Sequence, residues 1–176
     1  MTEWKSRTEK QALHPRRILI FGNSGAGKST LAARLASETG AAHLDLDTLA
    51  WQPTDPPERV PVEQARGEIL HFTGSHEGWV IEGCYADLLE LLLTESTELI
   101  FLDLTVADCQ ANARNRPWEP HKYPSPEAQD ANLEMLLAWI AAYPDREGDL
   151  GRKAHERLFN RFKGEKQRVT SRQNGQ

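Results

Sequence analysis

Apolar residues in this chain come in short bursts separated by polar stretches, and the spacing alternates between two periods. "RRILIF", ending at Gly22, reads as a short buried strand. "STLAARLASETG" follows with Leu31 and Leu35 one helical turn apart, and Gly40 offers a helix stop. "AHLDLD" reads as a second strand ending in carboxylates. "WQPTDPPERVP" is too rich in proline for regular structure. In "VEQARGEILHF", Val62, Ala65, Ile69 and Phe72 fall near helical spacing. "GWVIEG" and "ELIFLDL" predict a third and fourth strand, with "YADLLELLL" as a helix between them. "VADCQANARNR" predicts a helix that stops before Pro117, and "PWEPHKYPSP" a second proline-rich loop. "EAQDANLEMLLAWIAAY" predicts one amphipathic helix with Leu133, Leu136, Leu137 and Ile140 on a single face, ended by Pro144. "GRKAHERLFNRF" predicts the last helix and "KQRVTS" a fifth strand.

Apolar strands alternating with helices predict an α/β fold, a parallel sheet covered on both faces with right-handed crossovers. In such sheets function gathers at the carboxyl ends of the strands. The glycine loop after "RILIF", the "DLD" and the "EGCY" each follow a strand, so all three are expected on that edge. The expected organisation is a loose tail over residues 1–15, one domain over 16–171 and a short tail over 172–176.

With 176 residues, 39% hydrophobic and 27% charged, the chain is long enough for one domain with a substantial core. The apolar run Leu88–Leu93 is interrupted by Glu90, and no stretch approaches the ~20 apolar residues of a membrane span. "MTEWKSRTEKQALHP" lacks the apolar core of a signal peptide, so a cytoplasmic location is expected. Cys84 and Cys109 form no CxxC pair or zinc spacing and read as buried thiols in a reducing compartment, outside any disulfide. The formal net charge is −5, yet residues 152–172 hold eight basic residues against two acids. That basic end reads either as a phosphate-attracting surface or as a solvated helix face.

The most specific chemistry is Gly22-Asn23-Ser24-Gly25-Ala26-Gly27-Lys28-Ser29, which fits G-x-x-x-x-G-K-[ST] between a strand and a helix. A loop that wraps a phosphate with converging N–H groups leaves no room for side chains, and the helix beginning near Lys28 adds its positive end. The nine residues from Gly22 to Thr30 are therefore the expected binding site for a nucleoside triphosphate. Lys28 is expected to bridge the β- and γ-phosphates, and Ser29 to sit on magnesium. Asp45 and Asp47, two apart, share a face if the strand extends that far. Each is a candidate to hold the metal through water, to accept the proton of an attacking hydroxyl, or simply to cap the next segment with Thr48. Trp51 reads as a wall of an acceptor pocket or as a structural ring. Two acids compete as the metal-site carboxylate, Glu82 after "WVI" and Asp103 after "LIFL". Arg114 and Arg116, with His121 and Lys122 beyond, read as a lid that closes on the phosphates and excludes water, or as cations that offset a helix dipole.

"RILIFGNSGAGKSTLAARLA", "HLDLDTLAW", "GWVIEGCY", "IFLDL" with "CQANARNR", and "HERLFNRFKGEK" occur in this order. Together they resemble the bacterial P-loop family of DNA topology modulation proteins, itself similar to adenylate and shikimate kinases. The resemblance runs from about Arg16 to Ser171. It implies a three-layer P-loop fold with five parallel strands in the order 2-3-1-4-5, a lid near residues 114–130, and ATP with magnesium as cofactors. It favours Glu82 over Asp103 at the metal site, because it places the third strand beside the first. The family's "DGNY" stands here as Glu82-Gly83-Cys84-Tyr85, which lengthens the acidic arm and removes an amide. The proline and arginine that follow the glycine in adenylate kinases are missing, as is the glycine triplet of shikimate kinases.

These readings converge on a small-molecule kinase with an unassigned acceptor. Lys28 and the loop bind phosphate; Ser29 with Asp45 or Glu82 holds magnesium; Asp47 is the base; Arg114 and Arg116 close the site. The alternatives are a nucleotide-dependent regulator acting on nucleic acid through the basic end, and a slow NTPase without acceptor.

Overall fold

The computed structural model describes residues 14–171. The expected tail over residues 172–176, and all but the last two residues of that over 1–15, lie outside the described residues. Strand β1 (Arg17–Gly22) leads through the glycine loop into helix α1 (Lys28–Thr39), then β2 (Ala42–Asp45) and the short α2 (Asp47–Ala50). Helix α3 (Val62–Ser75), β3 (Trp79–Gly83), α4 (Ala86–Glu90) and β4 (Glu98–Leu102) follow. The remainder is α5 (Val106–Asn115), α6 (Pro126–Ala131), α7 (Leu133–Ala141), α8 (Arg152–Arg161) and β5 (Glu165–Val169).

The strands form one parallel sheet in the order β2-β3-β1-β4-β5, as expected. Strand parity divides the core. Leu19, Phe21, Trp79, Ile81 and Phe101 point to one side, against Ile69 of α3, Leu88 and Leu89 of α4 and Leu158 of α8. Ile18, Ile20, Val80 and Leu102 point to the other, against Ala32 of α1, Cys109 and Ala113 of α5 and Ile140 of α7. β1 is apolar almost throughout because both its faces are covered, whereas β5, at the edge, is "EKQRV" and largely exposed. Charge on an edge strand discourages pairing with another chain.

Three local expectations are corrected. The second strand stops at Asp45, and Asp47 opens α2, so the two carboxylates do not share a strand face. The Asp47 N–H donates to Asp45 Oδ1 (2.9 Å) and the Thr48 hydroxyl to the Asp45 carbonyl (2.7 Å), local bonds that turn the chain out of the sheet. The single helix expected over "EAQDANLEMLLAWIAAY" is two, α6 and α7, meeting at Asn132. Ser125 accepts from the Ala128 N–H and Pro126 occupies the first turn, a strong local start for α6. The helix expected over "YADLLELLL" closes at Glu90, and turns carry the chain on to β4.

Gly22 ends β1 at φ 149°, where a Cβ would lie 2.3 Å from the Leu102 carbonyl oxygen of β4. Gly22→Ala is therefore expected to destabilise the fold by about 2 kcal/mol or more, combining backbone strain with overpacking. Urea unfolding of the variant beside the parent chain measures this; equal midpoints would refute it.

Candidate functional site

The loop after β1 is braced from both neighbouring helices. Asn23 is buried, and its Nδ2 donates to the Ile140 carbonyl near the end of α7 (3.1 Å). Its side chain therefore faces the core. Gly25, at φ 75°, lies so close to α5 that a Cβ would stand 2.3 Å from the Cys109 carbonyl oxygen. One turn along α5, Asn112 Nδ2 donates to the Gly25 carbonyl (2.8 Å). Lys28 Nζ donates across the loop to the Asn23 carbonyl (2.8 Å). Residues Ser24 to Thr30 line an open cleft of about 900 Å³.

Glu82, on the α1 side of β3 by strand parity, accepts a 2.6 Å hydrogen bond at Oε1 from the Ser29 hydroxyl. Asp45 pairs with Glu82 in register. Burial first, then the charges of Glu82 and Asp47, pushes the Asp45 carboxyl up to about 6. His43 Nε2 stands 3.8 Å from Glu82 Oε1. Among the described residues no group of three or more His, Cys, Asp or Glu is arranged to hold a metal ion by itself. The hydroxyl and carboxylate of Ser29 and Glu82 fit magnesium, which keeps several water and phosphate oxygens as ligands. Asp103 has other partners. Arg152 grips it with two bonds of 2.9 Å, and Arg168 adds more. Burial pushes the Asp103 carboxyl up, but the two arginines outweigh it and hold the group below its ordinary value.

Asp47 lines the same cleft. Its Oδ1 accepts from the Tyr85 hydroxyl (2.5 Å), which in turn accepts from Trp51 Nε1 (2.7 Å). Burial pushes the Tyr85 pKa far up, so it remains a donor. Asp47 Oδ2 lies 3.5 Å from Lys122 Nζ. Burial pulls the Lys122 ammonium pKa down, but Asp47 and Glu119 more than offset this. Arg59 stacks over Tyr85 (4.8 Å to the ring centre) and pairs with Asp87 (2.9 Å). Trp51 is thus a partly exposed link in a chain of hydrogen bonds leading to Asp47. Tyr85 and Arg59 were missed by sequence reasoning; the position of Tyr85 at the end of "EGCY" was the available signal, and Arg59 had none.

Arg116 lines the cleft, paired with Glu119 (2.9 Å) and stacked on Tyr123 (5.5 Å). Arg114 is exposed and does not line it, so the two arginines expected to act together are separated. The residue numbers explain this: two positions apart at a helix end, they point in different directions. Behind the "EGCY" turn sits buried His155. Its Nε2 faces the Cys84 carbonyl (2.9 Å), so that nitrogen carries the proton, and Nδ1 accepts from the Tyr143 hydroxyl (2.6 Å). Burial pulls His155 down to about 4. Half of the basic end is paired with acids: Arg152 and Arg168 bind Asp103 and Glu156, Lys153 binds Glu147, and Arg161 binds Glu90. Arg172 lies outside the described residues.

No protein-family model matches the chain. Over 56 residues it is 39% identical to a tRNA dimethylallyltransferase from Aliarcobacter butzleri, a match covering 31% of this chain and 19% of that protein. The fold is similar to a sugar kinase from Janibacter sp. HTCC2649 (TM-score 0.51, 16% identity, covering 90% of this chain and 87% of that one). It is also similar to TT1252 from Thermus thermophilus (TM-score 0.52, 16% identity, 92% and 91% covered). The chain has the fold of the P-loop kinases.

Two groups of opposite sign titrate between pH 4 and 6.5. Lowered His155 adds stability above its unfolded value of 6.5 that is lost as pH falls towards 4. Raised Asp45 adds stability below its unfolded value of 3.8 that is lost as pH rises through about 6. Asp45→Asn removes the second effect and leaves the first. Urea unfolding at pH 6.5 and pH 4 should show the variant losing on the order of 1 kcal/mol more than the parent chain, allowing for the partial exposure of Asp45. A parallel pH dependence would contradict the environment assigned to Asp45.

Proposed function

We propose that the chain is a kinase that transfers a phosphoryl group from magnesium-ATP to the hydroxyl of a small-molecule acceptor. The observation that carries this reading is that the phosphate loop and Asp47 line one cleft. Bound magnesium-ATP would supply the phosphoryl group and neutralise its charge. The N–H groups of Ser24 to Thr30 and the Lys28 ammonium bind the β- and γ-phosphates. Ser29 and Glu82 hold the metal, and Asp45 adds negative charge behind Glu82. Asp47 accepts the acceptor's proton at Oδ2, while the Tyr85 hydroxyl fixes Oδ1 and sets the carboxylate's orientation. Arg116 and Lys122, on the segment lining the cleft, set positive charge against the negative charge of the transferring phosphoryl group and keep water out. A role on nucleic acid draws less support, because four of the eight cations of the basic end are already paired with acids.

A screen of nucleoside monophosphates, sugars, hydroxy acids and cofactor precursors for ADP release tests the proposal. One acceptor class is expected to raise ADP release well above the basal rate. Asp47→Asn should then lower kcat by about 10²–10⁴-fold while ATP still binds, and Lys28→Ala should abolish ATP binding in calorimetry. ADP release indifferent to every acceptor would leave a slow NTPase instead. Undiminished transfer by Asp47→Asn would remove Asp47 as the base.

A further inference from the structure

Helix α7, "LEMLLAWIA", is apolar on both its faces. Leu136, Leu137 and Ile140 turn inward onto α1 and α5. The outward face carries Met135, Ala138, Trp139 and Ala141, continued by Ala142, with Glu134 the one charge. Met135 is 68% exposed and Trp139 38% exposed. A helix that is apolar all round belongs in an interior, and among the described residues this one has a single face covered.

We propose that the outward face of α7 is the contact between two copies of this chain, with the two helices antiparallel about a two-fold axis near Ala138. A two-fold contact requires one patch to complement itself. This patch has both shapes it needs. Met135 and Trp139 project, while Ala138, Ala141 and Ala142 recede. With the axis at Ala138, Met135 of each copy falls level with Ala141 and Ala142 of the other.

Charge selects the antiparallel sense. Acids sit at the amino end, with Glu134 on α7 and Asp130 and Glu127 on α6 before it. At the carboxyl end the Arg146 guanidinium lies 3.5 Å above the Trp139 ring, tied down by the Trp139 carbonyl and the Leu150 carbonyl (3.1 Å). Antiparallel pairing brings Glu134 of one copy to the level of Arg146 of the other, at both ends. Parallel pairing would set Glu134 against Glu134. Helix dipoles also favour the antiparallel arrangement. A contact confined to one helix face falls at the small end of specific interfaces, so the dimer is weak and reversible.

Sedimentation equilibrium on the full chain between about 1 and 500 µM tests this. The expected result is a monomer–dimer equilibrium whose dissociation constant Met135→Lys raises about tenfold or more, with the urea midpoint unchanged. Under oxidation, Ala138→Cys should cross-link to its own copy, while Ala131→Cys, far from the axis, should not. A monomer at every concentration, a dimer that Met135→Lys leaves intact, or cross-linking at Ala131→Cys in place of Ala138→Cys overturns the proposal.

Discussion

The pairing of β3 with β1 decides what stands beside the phosphate loop. Ile20 and Glu82 are partners in that register, and both point towards α1. The crossover from β1 to β3 therefore delivers a carboxylate to the first turn of α1, where Ser29 waits 2.6 Å away. Had β4 carried that acid, Asp103 would have had to be free. Instead it ties α8 and β5 to the end of β4 through Arg152 and Arg168. One acid thus serves the cleft and the other serves the packing of the far edge.

That division could not be read from the one-dimensional pattern. "WVIE" and "LIFLD" look alike as apolar runs ending in an acid, and only neighbourhood in the sheet distinguishes them. The resemblance to known P-loop proteins supplied the neighbourhood; spacing alone did not. The strands themselves were legible because both sheet faces are covered, which makes each central strand a continuous apolar run. The edge strand was legible only in part, since "EKQRV" has no such run.

The misread elements share a cause. Asp45 and Asp47 suggested a strand face because alternation is a strand signal, yet short side-chain bonds to the backbone ended the strand first. Asn132 interrupts a run whose apolar spacing continues through it, so periodicity predicted one helix. The acceptor side was the least legible. Tyr85, Trp51 and Arg59 come from segments up to 34 residues apart, and nothing in their spacing links them before the chain folds.

The two hydrogen bonds that brace the phosphate loop have a mechanical consequence. Asn112 holds the loop to α5, and Asn23 holds it to α7. The segment that lines the cleft with Arg116, Glu119 and Lys122 leaves from the end of α5 and returns through α6 into α7. Both of its roots are therefore moored to the phosphate loop. Residues 116–131 are thus spanned between two anchor points on one loop, and a shift of that loop would be passed to both ends of the segment at once.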